Sequence, residues 1–205
     1  MHIVDGVLSA SVLVSGAALA AGGIALGLQR IDIERIPQVA VLSAVFFVAS
    51  LVHIPVGPSS VHLILNGLMG IALGWAAFPA LFVALLLQVV FFGFGGLLVL
   101  GVNTFNLALP AVLCFYLCGP GVRNGKSRAA FIWGVLAGAL AILFSVLTVG
   151  ASLALSGEEF IVAAKLLFLS HVPVMVVEGL LTGAAVVLVR KVKPQLFNLP
   201  LQVPA

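Results

Sequence analysis

Long apolar runs separated by short polar stretches are the dominant pattern of this chain. A membrane-spanning helix needs about 20 predominantly apolar residues. Seven runs approach or exceed that length, and they cover residues 8–28, 37–55, 61–78, 79–100, 104–118, 129–155 and 160–189. The last run is long enough to be tilted or broken, and Pro173 marks the expected break. The pattern therefore predicts seven transmembrane helices.

The composition points to the same class of protein. Of the 205 residues, 63% are hydrophobic and only 7% are charged. A soluble domain carries about 25% charged residues, so soluble enzymes, nucleic-acid binders and secreted disulfide scaffolds are excluded. We predict an all-α integral membrane protein with a single membrane domain over residues 1–205, comprising an N-terminal segment (1–7) and a seven-helix bundle (8–193). Cys114 and Cys118 are interpreted as small packing residues.

The distribution of basic residues orients the predicted helices. With the N-terminus outside, eight of the nine basic residues fall on the cytoplasmic side, and Lys165 is the exception. This asymmetry follows the positive-inside rule and predicts an external N-terminus and a cytoplasmic C-terminus. The cytoplasmic basic residues are then Arg30, Arg35, Arg123, Lys126, Arg128, Arg190, Lys191 and Lys193.

The predicted topology brings polar segments from three distant parts of the chain to the external face. They are residues 1–6, the stretch 56–60 with His62 just after it, and a predicted loop at 101–106. The first segment lacks the basic region and cleavage site of a signal peptide, so we expect the chain to begin at Met1. A binding site is expected where these segments meet.

A histidine at position two can form an unusual chelate. The terminal amine of Met1 and the amide nitrogen of His2 close a five-membered ring on a metal, and that amide and the imidazole Nδ1 close a six-membered ring. A further imidazole, for which His62 is the candidate, completes four nitrogens in a plane. This geometry favours Ni(II) or Cu(II), and affinity should fall in mild acid because the amine must lose its proton. A merely interfacial histidine stays the alternative.

Four motifs carry a resemblance to a known family. They are Met-His-Ile-Val-Asp-Gly at 1–6, Pro-Val-Gly-Pro-Ser-Ser-Val-His-Leu at 55–63, Gly-Val-Asn-Thr at 101–104 and His-x-Pro-x-x-x-x-Glu-Gly at 171–179. Together they resemble the substrate-binding membrane subunit of nickel and cobalt energy-coupling-factor transporters, the NikM/CbiM type. The resemblance implies a metal bound by the amine of Met1, the amide and imidazole nitrogens of His2 and the imidazole of His62. It also implies supporting roles near the metal for Asp5, Ser60 and Asn103.

The same resemblance implies capture of Ni(II), as the transported substrate, on the external face of a bacterial or archaeal cytoplasmic membrane. Its implied partners are a transmembrane coupling subunit and cytoplasmic ATPase subunits. The chain itself has no G-x-x-x-x-G-K-[ST] motif, so we expect no bound nucleotide and no enzymatic activity. Asp5 favours nickel, because cobalt members tend towards Met-His-Ile-Met-Glu-Gly. The alternatives are a Co(II) subunit serving cobalamin synthesis, a stand-alone carrier and a membrane protein without a transport function.

Three ionisable residues, His53, His171 and Glu178, are predicted at membrane depth. A charged side chain there costs about 2.5–3.5 kcal/mol on insertion scales, so such residues either satisfy one another or serve function. We interpret them as a polar network between helices, with metal ligation as the alternative. Ala40 and Ala44 form a small-residue stripe that either packs within the subunit or docks on the coupling subunit.

Overall fold

The structure consists almost entirely of helices. This computed structural model describes residues 3–56 and 59–197, with residues 53–56 and 59–62 described by their backbone only. The prediction of a helical membrane protein is confirmed, with the addition of one two-stranded antiparallel hairpin. The elements are α1 (Ala10–Leu28), α2 (Ile36–Ala49), β1 (His53–Val56), β2 (Ser59–His62), α3 (Asn66–Leu73), α4 (Ala77–Phe92), α5 (Leu100–Leu117), α6 (Gly119–Asn124), α7 (Ser127–Ala154) and α8 (Ile161–Val192).

The helices differ in whether they are long enough to cross a membrane. Helix α2 has 14 residues and α3 has 8, so α3 is about 12 Å long at 1.5 Å per residue. The prediction of one spanning helix over 61–78 is wrong, because this stretch contains part of β2, then α3 and the turn Gly74–Ala76. Seven full-length spans and their orientation stay predictions. By length and apolar composition alone, the segments that qualify among the described residues are Ala10–Leu28, Asn66–Phe92, Leu100–Leu117, Ser127–Ala154 and Glu158–Val192, and the second of these contains both α3 and α4.

Helix α3 runs parallel to α5, and the chain then reverses. The Asn66 side chain donates to the Leu107 carbonyl, and one turn later Gly70 lies against Ala111. Gly74 ends the helix with a φ of +57°, a left-handed conformation that glycine adopts without strain. Helix α4 packs back along α1 and α5. The stretch 66–92 is therefore two antiparallel helices, since the break at Gly74 interrupts an otherwise continuous apolar run.

Helix α8 passes through Pro173 without a break, so the predicted interruption is wrong. The helix is continuous over Ile161–Val192. A proline removes one backbone donor, but neighbouring groups can satisfy the freed carbonyl in a membrane bundle. As a result, His171 and Glu178 lie seven residues and two turns apart on the same face of α8, and both side chains are buried.

Candidate metal centre

The first described residues dock on the start of helix α5. Asn103, which is only 3% exposed, uses both ends of its side-chain amide on a single residue. Its Oδ1 accepts the N–H of Ile3 at 3.1 Å, and its Nδ2 donates to the Ile3 carbonyl at 3.0 Å. We call this contact the Asn103 clamp. It imitates the pairing of two β-strands and fixes both the position and the rotation of the backbone directly after His2.

A second side chain of the N-terminal segment caps α5. The Oδ1 of Asp5 accepts the N–H of Val99, the residue just before α5, at 3.0 Å. Backbone dipoles favour negative charge at a helix N-terminus. A Cβ at Gly96 would collide with this carboxylate, so the close approach needs glycine there. The chain then turns at Gly6, whose φ is +88°.

A hydrogen bond and a small apolar cluster complete the docking of the N-terminal segment. The backbone N–H of Ser9 donates to the hydroxyl of Ser156, just after the end of α7, at 3.2 Å. Burial and hydrogen bonds together therefore set the path of the segment as far as α1. The buried members of the cluster are Ile3, Leu8, Val12, Val99, Val102 and Val149.

The stretch 101–106 is helical, so the prediction of an external loop there is wrong. It forms the first turns of α5, and its polar side chains are satisfied inside the bundle. Asn103 forms the clamp, the Thr104 hydroxyl donates to the Leu100 carbonyl at 2.8 Å, and the Asn106 Nδ2 donates to the Ser152 hydroxyl at 3.3 Å. The polar residues that suggested a loop therefore serve helix packing and the docking of the N-terminal segment.

The other predicted donor belongs to the β1–β2 hairpin. The two strands pair with His53 opposite His62, so His62 ends the strand that leads back into the bundle. The approach of this imidazole to the N-terminal segment stays a prediction. The side chains of Ser60 and His62 lie outside the described residues, as do Met1 and His2.

A buried carboxylate on α8 holds the backbone just after this hairpin. Glu178, 1% exposed, accepts hydrogen bonds from the N–H groups of Ile64 and Leu65, the latter at 3.0 Å to its Oε2. Leu65 has a φ of +52°, a left-handed conformation that costs an ordinary residue roughly 1–2 kcal/mol. The contact therefore stabilises a strained turn into α3. The sequence predicted that Glu178 lies at membrane depth. It could not predict the hydrogen-bond partners of Glu178, because they are backbone N–H groups, whose presence does not depend on residue type.

His171 and Glu178 do not satisfy each other, so the interpretation of a polar pair is wrong for these two residues. The Nδ1 of His171 lies 2.7 Å from the Leu167 carbonyl oxygen and 3.1 Å from the Ser170 hydroxyl, which makes Nδ1 the protonated nitrogen. Its Nε2 is buried and has no hydrogen-bond partner within the described residues. The side chain of His53 lies outside the described residues.

The described residues alone do not assemble a metal site. They contain no group of three or more His, Cys, Asp or Glu side chains that could hold a metal ion. Cys114 and Cys118 are buried free thiols, and the Cys114 Sγ donates to the Ala137 carbonyl at 3.4 Å, as expected of packing residues. Within the described ranges, the contacts instead concern Asp5 and Asn103, whose supporting role near a metal stays a prediction.

The opposite end of the bundle carries cationic and aromatic side chains. The Arg30 guanidinium lies 5.4 Å from the Trp75 ring centroid, and the Trp75 Nε1 donates to the Tyr116 hydroxyl at 2.9 Å. Arg123 lies 4.7 Å from the ring centroid of Phe115. These residues stand where α1 and α5 end, whereas the Asn103 clamp stands where α5 begins. We call the two regions the cationic end and the clamp end.

The chain is similar to known metal transport proteins. A family model described as the cobalt uptake substrate-specific transmembrane region, CbiM, matches residues 2–196. The chain is 42% identical over 200 residues to a putative metal transport protein of Haemophilus influenzae, covering 97% of both chains. It is 28% identical to a putative fused nickel transport protein NikMN of Archaeoglobus fulgidus, over 97% of this chain and 68% of that protein. A crystal structure of a transition metal transporter is similar with a TM-score of 0.68 and 26% identity, covering 94% of this chain and 93% of that one.

Proposed function

The chain belongs to the CbiM family of cobalt-uptake substrate-specific transmembrane regions, and from this premise we propose that it captures Ni(II) as the substrate-specific subunit of an energy-coupling-factor transporter. Family membership establishes a membrane component of cobalt or nickel transport. The choice of nickel, its ligands and the partner subunits are our proposal. The donors are the amine of Met1, the amide and imidazole nitrogens of His2 and the imidazole of His62.

The Asn103 clamp is the observation that carries this proposal. Chain termini are poorly ordered unless they are tied down, and a chelate built from a terminal amine loses affinity when that terminus must first be ordered. Two hydrogen bonds to Ile3, which is 6% exposed, remove this freedom one residue from His2. Organising a site before its ligand arrives lowers the entropic cost of binding. The clamp therefore supports a function for the residues that precede it.

Donor chemistry supports nickel as the metal. Four nitrogens in one plane suit Ni(II), whereas Mg(II) and Mn(II) prefer oxygen ligands. The Met-His-Ile-x-Asp-Gly motif with Asp5 supports the same choice. Co(II) is the second candidate, because the matching family is described by cobalt uptake. Competition between the two metals for the purified protein decides between them.

The charge distribution supports an external site. The cationic end includes Arg30 and Arg123, and the Arg190 guanidinium joins α8 to the Gly125 carbonyl at 2.8 Å near the same end. Basic residues favour the cytoplasmic side, so the clamp end faces outwards in our proposal. The coupling subunit and the ATPase subunits then act from the membrane and the cytoplasm, in a bacterial or archaeal cytoplasmic membrane.

An N-terminal extension tests the chelate. We compare nickel binding by the purified protein with binding by a version that carries three extra glycines before Met1. A single glycine would place the histidine third in the chain, where the amine, two amides and the imidazole form a square-planar nickel chelate of their own. The longer extension moves the amine out of its chelate position and leaves the bundle unchanged, so we expect nickel affinity and the square-planar absorption band to be lost. Three glycines added after Ala205 are the matched control, and equal binding by all three proteins would contradict the proposed site.

A further inference from the structure

We propose that Glu178 is a positioning residue for the metal centre, because it holds the backbone that follows His62 and thereby fixes where this donor stands. The inference rests on the proposed function, since it takes His62 as a ligand. It differs from a general role in packing, because among the described residues the hydrogen bonds of the carboxylate go to the segment that leads from the hairpin into α3.

The first argument is the nature of the contact. Both oxygens of Glu178 are used on two successive backbone N–H groups, those of Ile64 and Leu65. This side chain is almost fully buried, and a hydrogen bond is electrostatically stronger in the low dielectric of the interior than in water. Two donors on one carboxylate define the direction of the chain at this point as well as its position.

The second argument is the rigidity of the helix that carries the carboxylate. A Cβ on Gly138 of α7 would lie 2.5 Å from the Glu178 carbonyl oxygen, and a Cβ on Gly134 would lie 2.9 Å from the Cα of Gly183. Small residues let two membrane helices pack this closely. Glu178 therefore projects from a tightly packed helix pair, which suits a group that must hold another segment in place.

The third argument is that both legs of the hairpin are fixed at their base. On the incoming leg, the buried Gln88 of α4 donates to the Ser50 hydroxyl at 2.7 Å, directly after α2. Across the base, the Leu63 N–H donates to the Val52 carbonyl at 3.2 Å. Glu178 then fixes the returning leg at the next residue. A shift of this anchor would also shift the backbone of His62, which lies two residues before Ile64, the first residue whose N–H is bonded to Glu178.

Two substitutions of Glu178 separate positioning from folding. Glu178→Leu removes both acceptors, and we expect nickel affinity to fall about 10–100-fold, the range seen when partners of metal ligands are lost. Glu178→Gln keeps one acceptor oxygen and should rescue part of this loss. Glu159→Gln, before the start of α8, is the matched control and should bind nickel like the native protein.

The readouts are nickel affinity, the visible absorption and circular dichroism bands of the bound nickel, and hydrogen exchange at the Ile64 and Leu65 amides. A positioning role predicts shifted bands and faster exchange in Glu178→Leu, and intermediate values in Glu178→Gln. Lower thermal stability with unchanged bands in the nickel-bound fraction would mean a merely structural role and would overturn the inference. Native nickel affinity together with native hydrogen exchange in either folded variant would also overturn the inference.

The two proposals fail in different ways. If the three extra N-terminal glycines abolish nickel binding and both Glu178 variants bind like the native protein, the chelate stands and the positioning role is wrong. If the extended protein binds nickel normally, the proposed function fails, whatever the Glu178 variants do.

Discussion

The clamp end and the cationic end hold their segments with different chemistry. At the clamp end, the amide of Asn103 and the carboxylate of Asp5 contact backbone groups. At the cationic end, the guanidinium groups of Arg30 and Arg123 lie over aromatic rings. Two positive charges 10 Å apart repel by roughly 1.7 kcal/mol at an effective dielectric constant of 20. Because the guanidinium groups lie at the cationic end, a metal cation is captured more favourably at the clamp end.

From this difference we predict that metal capture and partner contact can be altered independently. Changes at the clamp end should alter nickel affinity. Changes at the cationic end should alter transport or stability and leave nickel affinity intact.

Asn103→Leu should have the largest effect on nickel binding. It removes two hydrogen bonds and leaves a buried backbone N–H and carbonyl of Ile3 unsatisfied, which together cost on the order of 3 kcal/mol, or about 100-fold in affinity. Isothermal titration with nickel measures the loss. Asn106→Leu, one turn along the same helix, is the control and should stay near native affinity. Equal losses in both variants would point to general damage to α5.

Ala44→Phe should reduce uptake and spare metal binding. Ala40 and Ala44 line an apolar groove between α2 and α4, together with Val83 and Leu87. If the coupling subunit packs into this groove, overfilling it costs roughly 1–3 kcal/mol, and ATP-driven nickel uptake should fall about tenfold. Val45→Phe, on the neighbouring exposed surface, is the control. Loss of nickel binding together with uptake in Ala44→Phe would contradict a docking role.

Asp5→Asn should weaken nickel binding by a small factor. The amide can still accept the Val99 N–H, but the negative charge at the start of α5 is lost, and such a charge is worth about 0.3–1 kcal/mol, or about two- to fivefold. Titration against Asp32→Asn, which lies outside α5 in the segment between α1 and α2, separates a local effect from one of net charge. An equal effect of the two substitutions would refute a specific role of Asp5.

Arg123→Gln should leave nickel affinity unchanged within error and lower thermal stability slightly. Its contact with Phe115 is worth roughly 0.5–1 kcal/mol, and it lies at the cationic end, remote from the clamp. Thermal unfolding and nickel titration of the same preparation measure both quantities. A large change in nickel affinity would show that the two ends are coupled.

The sequence predicted the class of fold well because composition and run length reflect the solvent directly. The runs at 8–28, 129–155 and 160–189 match α1, α7 and α8 closely. The run at 61–78 failed, since an apolar stretch reads the same whether it forms one helix or a strand, a short helix and a turn. The strand, short helix and turn depend on the tertiary contact between Glu178 and the Leu65 backbone and on glycine at position 74. Neither feature shows in the hydrophobic pattern.

For the candidate site, the motifs singled out Asp5 and Asn103, and both make defined contacts between the N-terminal segment and the start of α5. Their role near a metal stays a prediction. The sequence misplaced Asn103 in a loop, because an amide buried in a helix is distinguishable from an exposed one only through its partner, Ile3. The Nε2 of His171, which has no hydrogen-bond partner within the described residues, was equally hidden, since the choice of tautomer depends on the Leu167 carbonyl.

X-ray absorption at the nickel edge of the purified, nickel-loaded native protein is the most direct test of an N-terminal metal centre. We predict the resolved pre-edge feature of square-planar Ni(II), a first shell made of nitrogen only, and ring scattering from imidazole, all of which are lost when three glycines precede Met1. A six-coordinate spectrum with oxygen ligands, unchanged by the added glycines, would contradict a centre built on Met1, His2 and His62.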